Sequence, residues 1–372
     1  MKIAYISFSA IPSRQANSIG VMKMCQAFAQ AGHSVTLVVP DVSDIEPGVS
    51  DMYSFYGVKP VFKIHKIKLR SSWEFIQKFF YAFDSARYAQ KENSELVYGR
   101  FIPGCTSAAA AGLPVIGELH IPYGPGIIKE WLFRRFIGTK SFRHIVVISE
   151  SLKRDILNVY PQLEDKIIVV RDGAEAITED YKPSRRTNRL QIGFVGHLYK
   201  GRGIELILEL AARCPNADFH LAGGTEEDIN YWKAAAIDYK NVKFYGFMPH
   251  PETEKFRLKM DILLAPYQKK VSVADNGNMT TEKWMSPLKL FEYMAAGKAI
   301  ISSDIPVLRE ILEHEKTAIF CPPDDADAWQ IAIERMRDDI VLRDRLGRAA
   351  REIFLKHYTW KARAEKVLAG VL

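Results

Sequence analysis

The stretch MSPLKLFEYMAAGKAIISSD, residues 285–304, predicts a helix that leads directly into a strand. Ser286 followed by Pro287 is a helix-start signal, because serine can cap the free N–H groups and proline tolerates the first helical position. Gly297 is a helix-stop signal, and the apolar run AIISS after it is typical of a buried parallel strand. The stretch therefore predicts one helix–strand unit of an α/β fold.

The same alternation runs through both halves of the 372-residue chain. Strand-like runs include KIAYISF, SVTLVVP and HIVVIS, then QIGFVGHLY, DFHLAGG and ILLAPY, with helical patterns between them. Such alternation predicts parallel sheets with helices on both faces, whose ligands collect at the carboxyl ends of the strands. The polar segment AEAITEDYKPSRRTNRL predicts a linker. We therefore expect two doubly wound domains, residues 1–178 and 188–355.

The composition, 48% hydrophobic and 26% charged, is ordinary for a soluble globular protein. The sequence contains no run of 18 apolar residues, so it does not predict a membrane span. The N-terminus lacks the features of a secretory signal. The four cysteines show neither metal-ligand spacing nor a disulfide framework, and this favours a reducing cytoplasm. They are Cys25, Cys105, Cys214 and Cys321.

The net charge of +7 is unevenly distributed. Residues 59–83 and 127–143 combine lysines and arginines with phenylalanines and tryptophans. Such stretches suit a face that lies on anionic lipid, and they equally suit a solvated face beside an ordinary core stripe. Nucleic acid is disfavoured, because no recognised binding motif accompanies the charge.

The loop that opens the second half collects glycines and cations. In GFVGHLYKGRGIELILEL, Gly196 ends a strand, and His197, Lys200 and Arg202 precede the next helix. A helix N-terminus favours an anion, and arginine offers a planar fork for phosphate oxygens. The pattern predicts an anion site, although an ordinary loop with solvated charges would show similar residues.

The helix of the opening stretch predicts a second anion site, formed by the free amides near Ser286, Leu288 and Lys289. Glu292 lies among apolar residues on this helix. A surface pair with Lys289, three positions away, would explain it, but little of the helix suits water. A buried carboxylate needs hydrogen-bond partners, and the vicinal hydroxyls of a ligand would provide them.

Two positions of the first half lie where a ligand would bind. Gly20 either lets a ligand approach the backbone or only starts the first helix, and no G-x-G-x-x-G fingerprint accompanies it. His120 follows the strand LPVIGEL and precedes a loop rich in proline and glycine. Glu118, two residues earlier on the same strand, would share its face.

Together these features resemble a family 4 retaining glycosyltransferase of the GT-B fold. GHLYKGRGIELILE resembles its glycine–basic loop, and NVKFYGFMPHPETEKFRLKMDILLAPY its nucleotide-base segment. SPLKLFEYMAAGKAIISSDIPVLREIL is similar to the helix with the second glutamate of its E-x7-E motif. GELHIPYG and VVISESLKRDIL resemble segments of its first domain, and HYTWKARAEKVL its closing helix. The resemblance implies two Rossmann-like domains that face each other across a cleft, with a helix at 358–372 crossing back to the N-terminal, acceptor-binding domain.

The resemblance also implies roles at the donor's reacting end. Arg202, with Lys200, would hold the donor diphosphate beside Gly196 and stabilise its departure, while His197 stands where many members have an arginine. His120 would lie beside the donor sugar or the leaving diphosphate. Glu118 would orient the loop or the acceptor.

For the rest of the donor, Glu292 would hydrogen-bond the ribose hydroxyls. The amides of Leu288 and Lys289 would bind the distal phosphate, and Phe247 and Met248 would border the base. The donor would be a UDP- or GDP-sugar, bound by the C-terminal domain.

One position departs from the family pattern. Trp284 stands where the first glutamate of the E-x7-E motif, which contacts the donor sugar, is expected. Glu282 is a candidate substitute, or else a solvated loop carboxylate, and Asp275 and Asn276 are further candidates. The donor sugar is therefore not implied.

The implied activity is retaining, metal-independent transfer of a hexosyl group to a hydroxyl, with no cofactor. The basic–aromatic stretches suggest a lipid-linked or saccharide acceptor, a cytoplasmic protein on the inner face of the plasma membrane, and a role in bacterial cell-surface polysaccharide or glycolipid assembly. Two alternatives stay open: a nucleotide-sugar 2-epimerase of the same fold, and a non-enzymatic sugar-binding protein.

Overall fold

The computed structural model describes residues 1–42, 46, 48–124, 126–177, 189–199, 201–271 and 282–370. Most of the predicted linker lies outside the described residues, as do Lys200, Asp275 and Asn276. The chain divides into two compact units, Met1–Arg171 with Trp360–Leu372, and Asp172–Thr359. Each unit is built on one parallel sheet, and this confirms the prediction of two doubly wound α/β sheets.

The first unit contains a seven-stranded sheet. Its strands are β1 (Lys2–Ile6), β2 (Ser34–Asp41), β3 (Lys63–Lys68), β4 (Leu96–Gly99), β5 (Val115–Leu119), β6 (Phe142–Val147) and β7 (Ile167–Val169). Its helices are α1 (Ala16–Gln30), α2 (Met52–Phe55), α3 (Glu74–Lys91), α4 (Ile102–Ala110), α5 (Ile127–Ile137), α6 (Glu150–Val159) and, from the end of the chain, α13 (Trp360–Leu368).

The order of this sheet is β3-β2-β1-β4-β5-β6-β7, with every pair parallel. Helices cover both faces, so β4 and β5 are buried along their whole length. The strand order reverses between β1 and β4, and a ligand crevice is expected where the loops after these strands diverge. The loops that follow β1, β4 and β5 therefore position the candidate site of the first unit.

The second unit contains a six-stranded sheet. Its strands are β8 (Leu190–Val195), β9 (Ala217–Ala222), β10 (Val242–Gly246), β11 (Ile262–Ala265), β12 (Ala299–Ser303) and β13 (Ile319–Cys321). Its helices are α7 (Ile204–Arg213), α8 (Glu226–Ala235), α9 (His250–Lys259), α10 (Leu288–Ala295), α11 (Ala326–Asp338) and α12 (Ile340–His357).

The order of the second sheet is β10-β9-β8-β11-β12-β13, again parallel throughout. Its order reverses between β8 and β11, which places the glycine–basic loop after β8 at the expected crevice. The core lies on both faces of this sheet, with Ile192, Leu264 and Ile301 on one side and Leu263 and Ile300 on the other.

The helix of the opening stretch is α10, and its start differs from the prediction. The helix begins at Leu288, Pro287 is its N-cap residue, and no side chain caps it. The hydroxyl of Ser286 instead accepts a hydrogen bond of 3.0 Å from the backbone N–H of Asp172. Ser286 therefore fixes a neighbouring loop of its own unit. The predicted stop is confirmed, because Gly297 follows the helix with a φ of 62°.

Candidate functional site

The loop after β8 brings a lysine ammonium against a glycine. Gly196 has a φ of 149°, and a Cβ built on it would lie only 2.8 Å from the Nζ atom of Lys289. A side chain at this position would occupy the place of the ammonium. The glycine therefore opens a space at the end of β8, and the lysine of α10 fills it.

Two cations flank one aromatic ring at this point. The Nζ atom of Lys289 lies 3.8 Å from the ring centroid of Phe194 and 5.1 Å from that of Tyr267. The guanidinium carbon of Arg202 lies 5.6 Å from the same Tyr267 centroid. Aromatic faces attract cations, so the rings hold two positive charges near each other. The sequence had suggested only the backbone amide of Lys289 as a ligand.

The charges of this cluster shift one another's pKa values. Burial lowers the pKa of Lys289 well below its usual range, and the positive charge of Arg202 lowers it further, while Glu292 opposes the shift. Burial raises the pKa of Tyr267 to about 12, although Arg202 opposes this through its charge and a hydrogen bond. A desolvated cation beside another cation is stabilised by a bound anion. The cluster therefore has the electrostatics of an anion site.

His197 lies at this site as a neutral ring. It stacks on Tyr199, with centroids 4.7 Å apart and planes at 8°. Burial lowers the pKa of His197 to about 4, and the charges of Arg202 and Lys289 add to the effect. His197 is therefore uncharged at neutral pH and adds no positive charge, which corrects its expected place among the cations of this loop. Lys200, next in the loop, lies outside the described residues.

Glu292 has hydrogen-bond partners within the protein. Its Oε1 atom lies 3.1 Å from Nε2 of His250, and its Oε2 atom accepts a hydrogen bond of 3.1 Å from Arg257. Arg257 is 3% exposed, so the pair is largely desolvated. Neither His250 nor Arg257, both on α9, was identified from the sequence.

A tyrosine ties α10 to the end of β8. The hydroxyl of Tyr293 accepts a hydrogen bond of 2.9 Å from the backbone N–H of Val195, and its ring is fully buried. This contact fixes Lys289 and Glu292 beside the glycine–basic loop. Sequence reasoning assigned Tyr293 only to the apolar surface of the helix.

The remaining predicted donor residues lie on loops of the second unit. Phe247 and Met248 follow β10, two strands away from β8, and Phe247 is 42% exposed. Glu282 accepts a weak hydrogen bond of 3.3 Å from the backbone N–H of Val271. The ring of Trp284 lies 5.7 Å from the ammonium of Lys283. The structure thus joins Gly196, His197, Arg202, Lys289 and Glu292. Phe247, Met248, Glu282 and Trp284 lie on loops of the same unit.

In the first unit, a buried carboxylate lies below the predicted histidine. Glu118, at the end of β5, is 2% exposed, and its Oε1 atom hydrogen-bonds Nε2 of His120. The same oxygen lies 3.1 Å from Nη2 of Arg363 and 3.7 Å from Nε of Arg100. Burial raises the pKa of Glu118, but Arg363 and His120 outweigh burial and hold this pKa below its usual range. Arg363, on α13, and Arg100, after β4, were not identified from the sequence.

Gly20 is not at the start of its helix, because α1 begins four residues earlier, at Ala16. A Cβ built on Gly20 would lie 3.5 Å from Arg100 Nη1 and 3.9 Å from Trp360. These are ordinary contact distances. Gly20 therefore lies inside a helix that packs against α13, and its surroundings are side chains of its own unit.

The loops after β1, β4 and β5 enclose a cavity of about 710 Å³, with α3 and α5 on its sides. His120, Glu118 and Arg100 line it together with aromatic side chains of both helices. The predicted histidine and its carboxylate therefore face a space of the size typical of small-molecule pockets, roughly 300–1,000 Å³.

Within the described residues, no helix is both long and apolar enough to cross a bilayer.

Two family models match consecutive parts of the chain. Residues 18–176 match the model described as Glycosyltransferase Family 4, and residues 177–353 match the model described as Glycosyl transferases group 1. Together they cover both units almost completely.

Individual relatives are distant. An uncharacterized glycosyltransferase of Methanocaldococcus jannaschii is 24% identical over 245 residues, which are 60% of this chain and 58% of the relative. A glycogen synthase of Mycobacterium tuberculosis is 24% identical over 242 residues, 63% of this chain and 53% of that protein. The matches thus span little more than half the length of these two curated relatives.

Solved structures share the fold along the whole chain. Sucrose-phosphate synthase from Thermosynechococcus elongatus superposes with a TM-score of 0.73 at 16% identity, covering 98% of this chain and 96% of that one. HepE of Anabaena in complex with UDP-glucose superposes with a TM-score of 0.70 at 12% identity, covering 100% and 99% of the two chains. At these identities the likeness establishes the fold alone.

Proposed function

The chain belongs to the family 4, group 1 glycosyltransferases of the GT-B fold, and from this premise we propose that it transfers a hexosyl group from a nucleoside diphosphate sugar to a hydroxyl acceptor with retention of configuration. The observation that carries the proposal is the pair of cations, Arg202 and Lys289, beside Tyr267 at the reversal point of the second sheet. A diphosphate fits this pair in charge, and the free amides at the start of α10 add donors for its oxygens.

In the proposed reaction the bond between C1 of the sugar and the diphosphate oxygen breaks, and its electron pair leaves with the diphosphate. The acceptor oxygen forms the new bond at C1, and its proton passes to the departing diphosphate oxygen. Negative charge grows on the diphosphate, and Arg202 and Lys289 stabilise it electrostatically. Because these cations supply the positive charge at the leaving group, the proposed mechanism is metal-independent and uses no cofactor.

The other donor contacts follow from the same placement. Glu292, on the helix that starts at Leu288 and held by His250 and Arg257, accepts hydrogen bonds from the ribose hydroxyls. Phe247, partly exposed after β10, offers a ring face to the base, and Met248 borders it. We propose UDP or GDP as the nucleotide; the Anabaena structure with UDP-glucose supports this class of donor.

The first unit binds the acceptor in this proposal. His120 lines the cavity, and Glu118 holds its Nε2 atom, so the Nδ1 atom is left for the acceptor or the donor sugar. The acceptor is a lipid-linked or other saccharide. We also propose that the protein is cytoplasmic and lies peripherally on the anionic inner face of the plasma membrane, in bacterial cell-surface polysaccharide or glycolipid assembly.

Transfer is tested by ¹H NMR of the protein incubated with UDP- and GDP-hexoses and a set of lipid-phosphate and oligosaccharide acceptors. We expect nucleoside diphosphate and a glycoside with the donor's anomeric configuration, both dependent on acceptor. A product with inverted configuration contradicts retention. Conversion of the donor's sugar without acceptor indicates an epimerase instead.

The lowered pKa of Lys289 gives a further expectation. A bound diphosphate favours the ammonium and raises this pKa. When the pH lies between the pKa of Lys289 in the free protein and its higher pKa in the complex, the complex therefore holds more protons than the free site. In that pH range, binding of UDP or GDP is therefore expected to take up protons, and the affinity should fall as the pH rises. Calorimetry in buffers of different ionisation enthalpy measures this uptake.

The variant Lys289→Met is expected to lose the proton uptake and about tenfold or more in affinity, as for a charge-assisted hydrogen bond. Lys243→Met is the matched control, because Lys243 also lies over an aromatic ring of the second unit, 4.9 Å from the Tyr245 centroid, but on the exposed surface. Unchanged uptake in Lys289→Met would remove Lys289 from the diphosphate site.

A further inference from the structure

The cavity of the first unit is open along a groove between α3 and α5. Large apolar side chains of both helices line it and are nevertheless exposed to solvent. The exposed fractions are 66% for Phe75, 64% for Phe79, 62% for Phe83, 58% for Ile128 and 59% for Trp131. Phe75, Phe79 and Phe83 recur every four residues, so they form one stripe along α3.

Such a stripe is costly without an occupant. Removing large apolar side chains from water is favourable, and contiguous exposed apolar patches are typical of binding sites. Ile127 at 90% and Trp73 at 73% extend the apolar surface beyond the cavity. The groove therefore fits a hydrocarbon chain better than it fits water or a sugar.

The polar lining of the same cavity is cationic. Lys129 and Arg100 line it, and so does Lys78, whose ammonium pairs with Glu74 and lies 5.7 Å from the Phe8 ring centroid. The carboxylate in the lining is Glu118, which Arg363, Arg100 and His120 already neutralise. The lining is thus complementary to an anion at the end of the groove nearest His120.

We propose that the groove between α3 and α5 binds a single-chain lipid phosphate, with the hydrocarbon along Phe79, Phe83 and Trp131 and the phosphate beside Lys129 and Arg100. This inference rests on the proposed function and specifies its acceptor: a saccharide carried on a lipid phosphate, whose hydroxyl lies near His120. The apolar wall then binds the hydrocarbon chain, the cationic lining binds the phosphate, and His120 lies beside the saccharide of the same molecule.

Dodecyl phosphate, titrated below its critical micelle concentration, tests the groove without donor. We expect saturable binding by the wild-type protein, followed by calorimetry or tryptophan fluorescence. The double variant Phe79→Ser/Phe83→Ser should weaken it about tenfold or more, and Lys129→Gln should weaken dodecyl phosphate more than it weakens the uncharged dodecanol. Phe80→Ser is the matched control, since Phe80 is 37% exposed on the same helix but does not line the cavity.

Equal binding by Phe79→Ser/Phe83→Ser and Phe80→Ser overturns the inference, and so does adsorption to anionic vesicles with no binding of the monomeric amphiphile. Titration of UDP and GDP in the same variants separates the two proposals. Retained nucleotide binding with lost dodecyl phosphate binding in the double variant supports the groove. Retained nucleotide binding without any amphiphile binding by the wild type overturns the groove alone, and amphiphile binding without nucleotide binding contradicts the proposed donor site.

Discussion

Replacing Arg202 by alanine is expected to lower turnover about 10²–10³-fold, the usual effect of removing one well-placed donor from a developing negative charge. Arg202 and Lys289 flank Tyr267 as a pair, so its loss removes half of the positive charge that the departing diphosphate meets. The effect should appear in turnover as well as in donor affinity, because the negative charge grows in the transition state.

The fold should tolerate this change, since Arg202 lies on a loop before α7 and repels Lys289 in the free protein. Arg213→Ala is the matched control. Arg213 lies on the surface of α7 and pairs with Glu209 and Asp327, so its loss is expected to leave turnover unchanged. Turnover of Arg202→Ala close to that of the wild type would remove the diphosphate role from this residue.

Replacing Arg363 by alanine is expected to destabilise the first unit by about 3–5 kcal/mol, as is typical when one partner of a buried ion pair is removed. Arg363 is 2% exposed, lies 3.1 Å from Glu118, and donates a hydrogen bond of 3.1 Å to the carbonyl of Arg171. Without it, Glu118 stays buried with less compensation of its charge. Urea unfolding at pH 7 measures the loss.

The pH dependence of the free energy of unfolding shows whether the charge of Glu118 causes this loss of stability. Since the pKa of Glu118 is lowered in the folded protein, its contribution to stability is present above the unfolded pKa of about 4.3 and is lost as the pH falls through the folded value. The Arg363→Ala variant should lose this dependence, and Arg363→Ala/Glu118→Gln should recover part of the stability. Equal destabilisation in the single and the double variant would show that Arg363 acts by packing rather than by charge.

The fold follows from local patterns in the sequence. Apolar runs of strand length between amphipathic segments are local features, so they predict two parallel sheets and the loop after β8 as a ligand site. The sequences of α3 and α5 predict only basic and aromatic stretches, because each helix divides its apolar residues between two environments. Tyr81, Phe133 and Phe136 are buried, whereas Phe79, Phe83 and Trp131 line the groove and stay exposed. The hydrophobic pattern of these two segments therefore does not separate one buried face from one solvent-exposed face.

The partners of charged residues could not be predicted, because they are distant in sequence. Glu292 lies among apolar residues because Arg257 and His250 on α9 contact its carboxylate oxygens, and Glu118 depends on Arg363 near the end of the chain. Sequence reasoning sees pairs only at helical spacing. It predicted that Lys289 would contribute its amide, whereas the ammonium reaches Phe194 through the space left by Gly196.

The most direct test of the central claim, that the Arg202–Lys289 pair binds the diphosphate of a nucleotide sugar, is calorimetric titration of the wild-type protein with UDP and GDP, compared with uridine, guanosine and free hexoses. We expect one of the diphosphates to bind, with an affinity that falls as salt is added, and the nucleosides and sugars to bind at least about a hundredfold more weakly. Equal binding of a nucleoside and its diphosphate, or binding of free sugars alone, would contradict the claim.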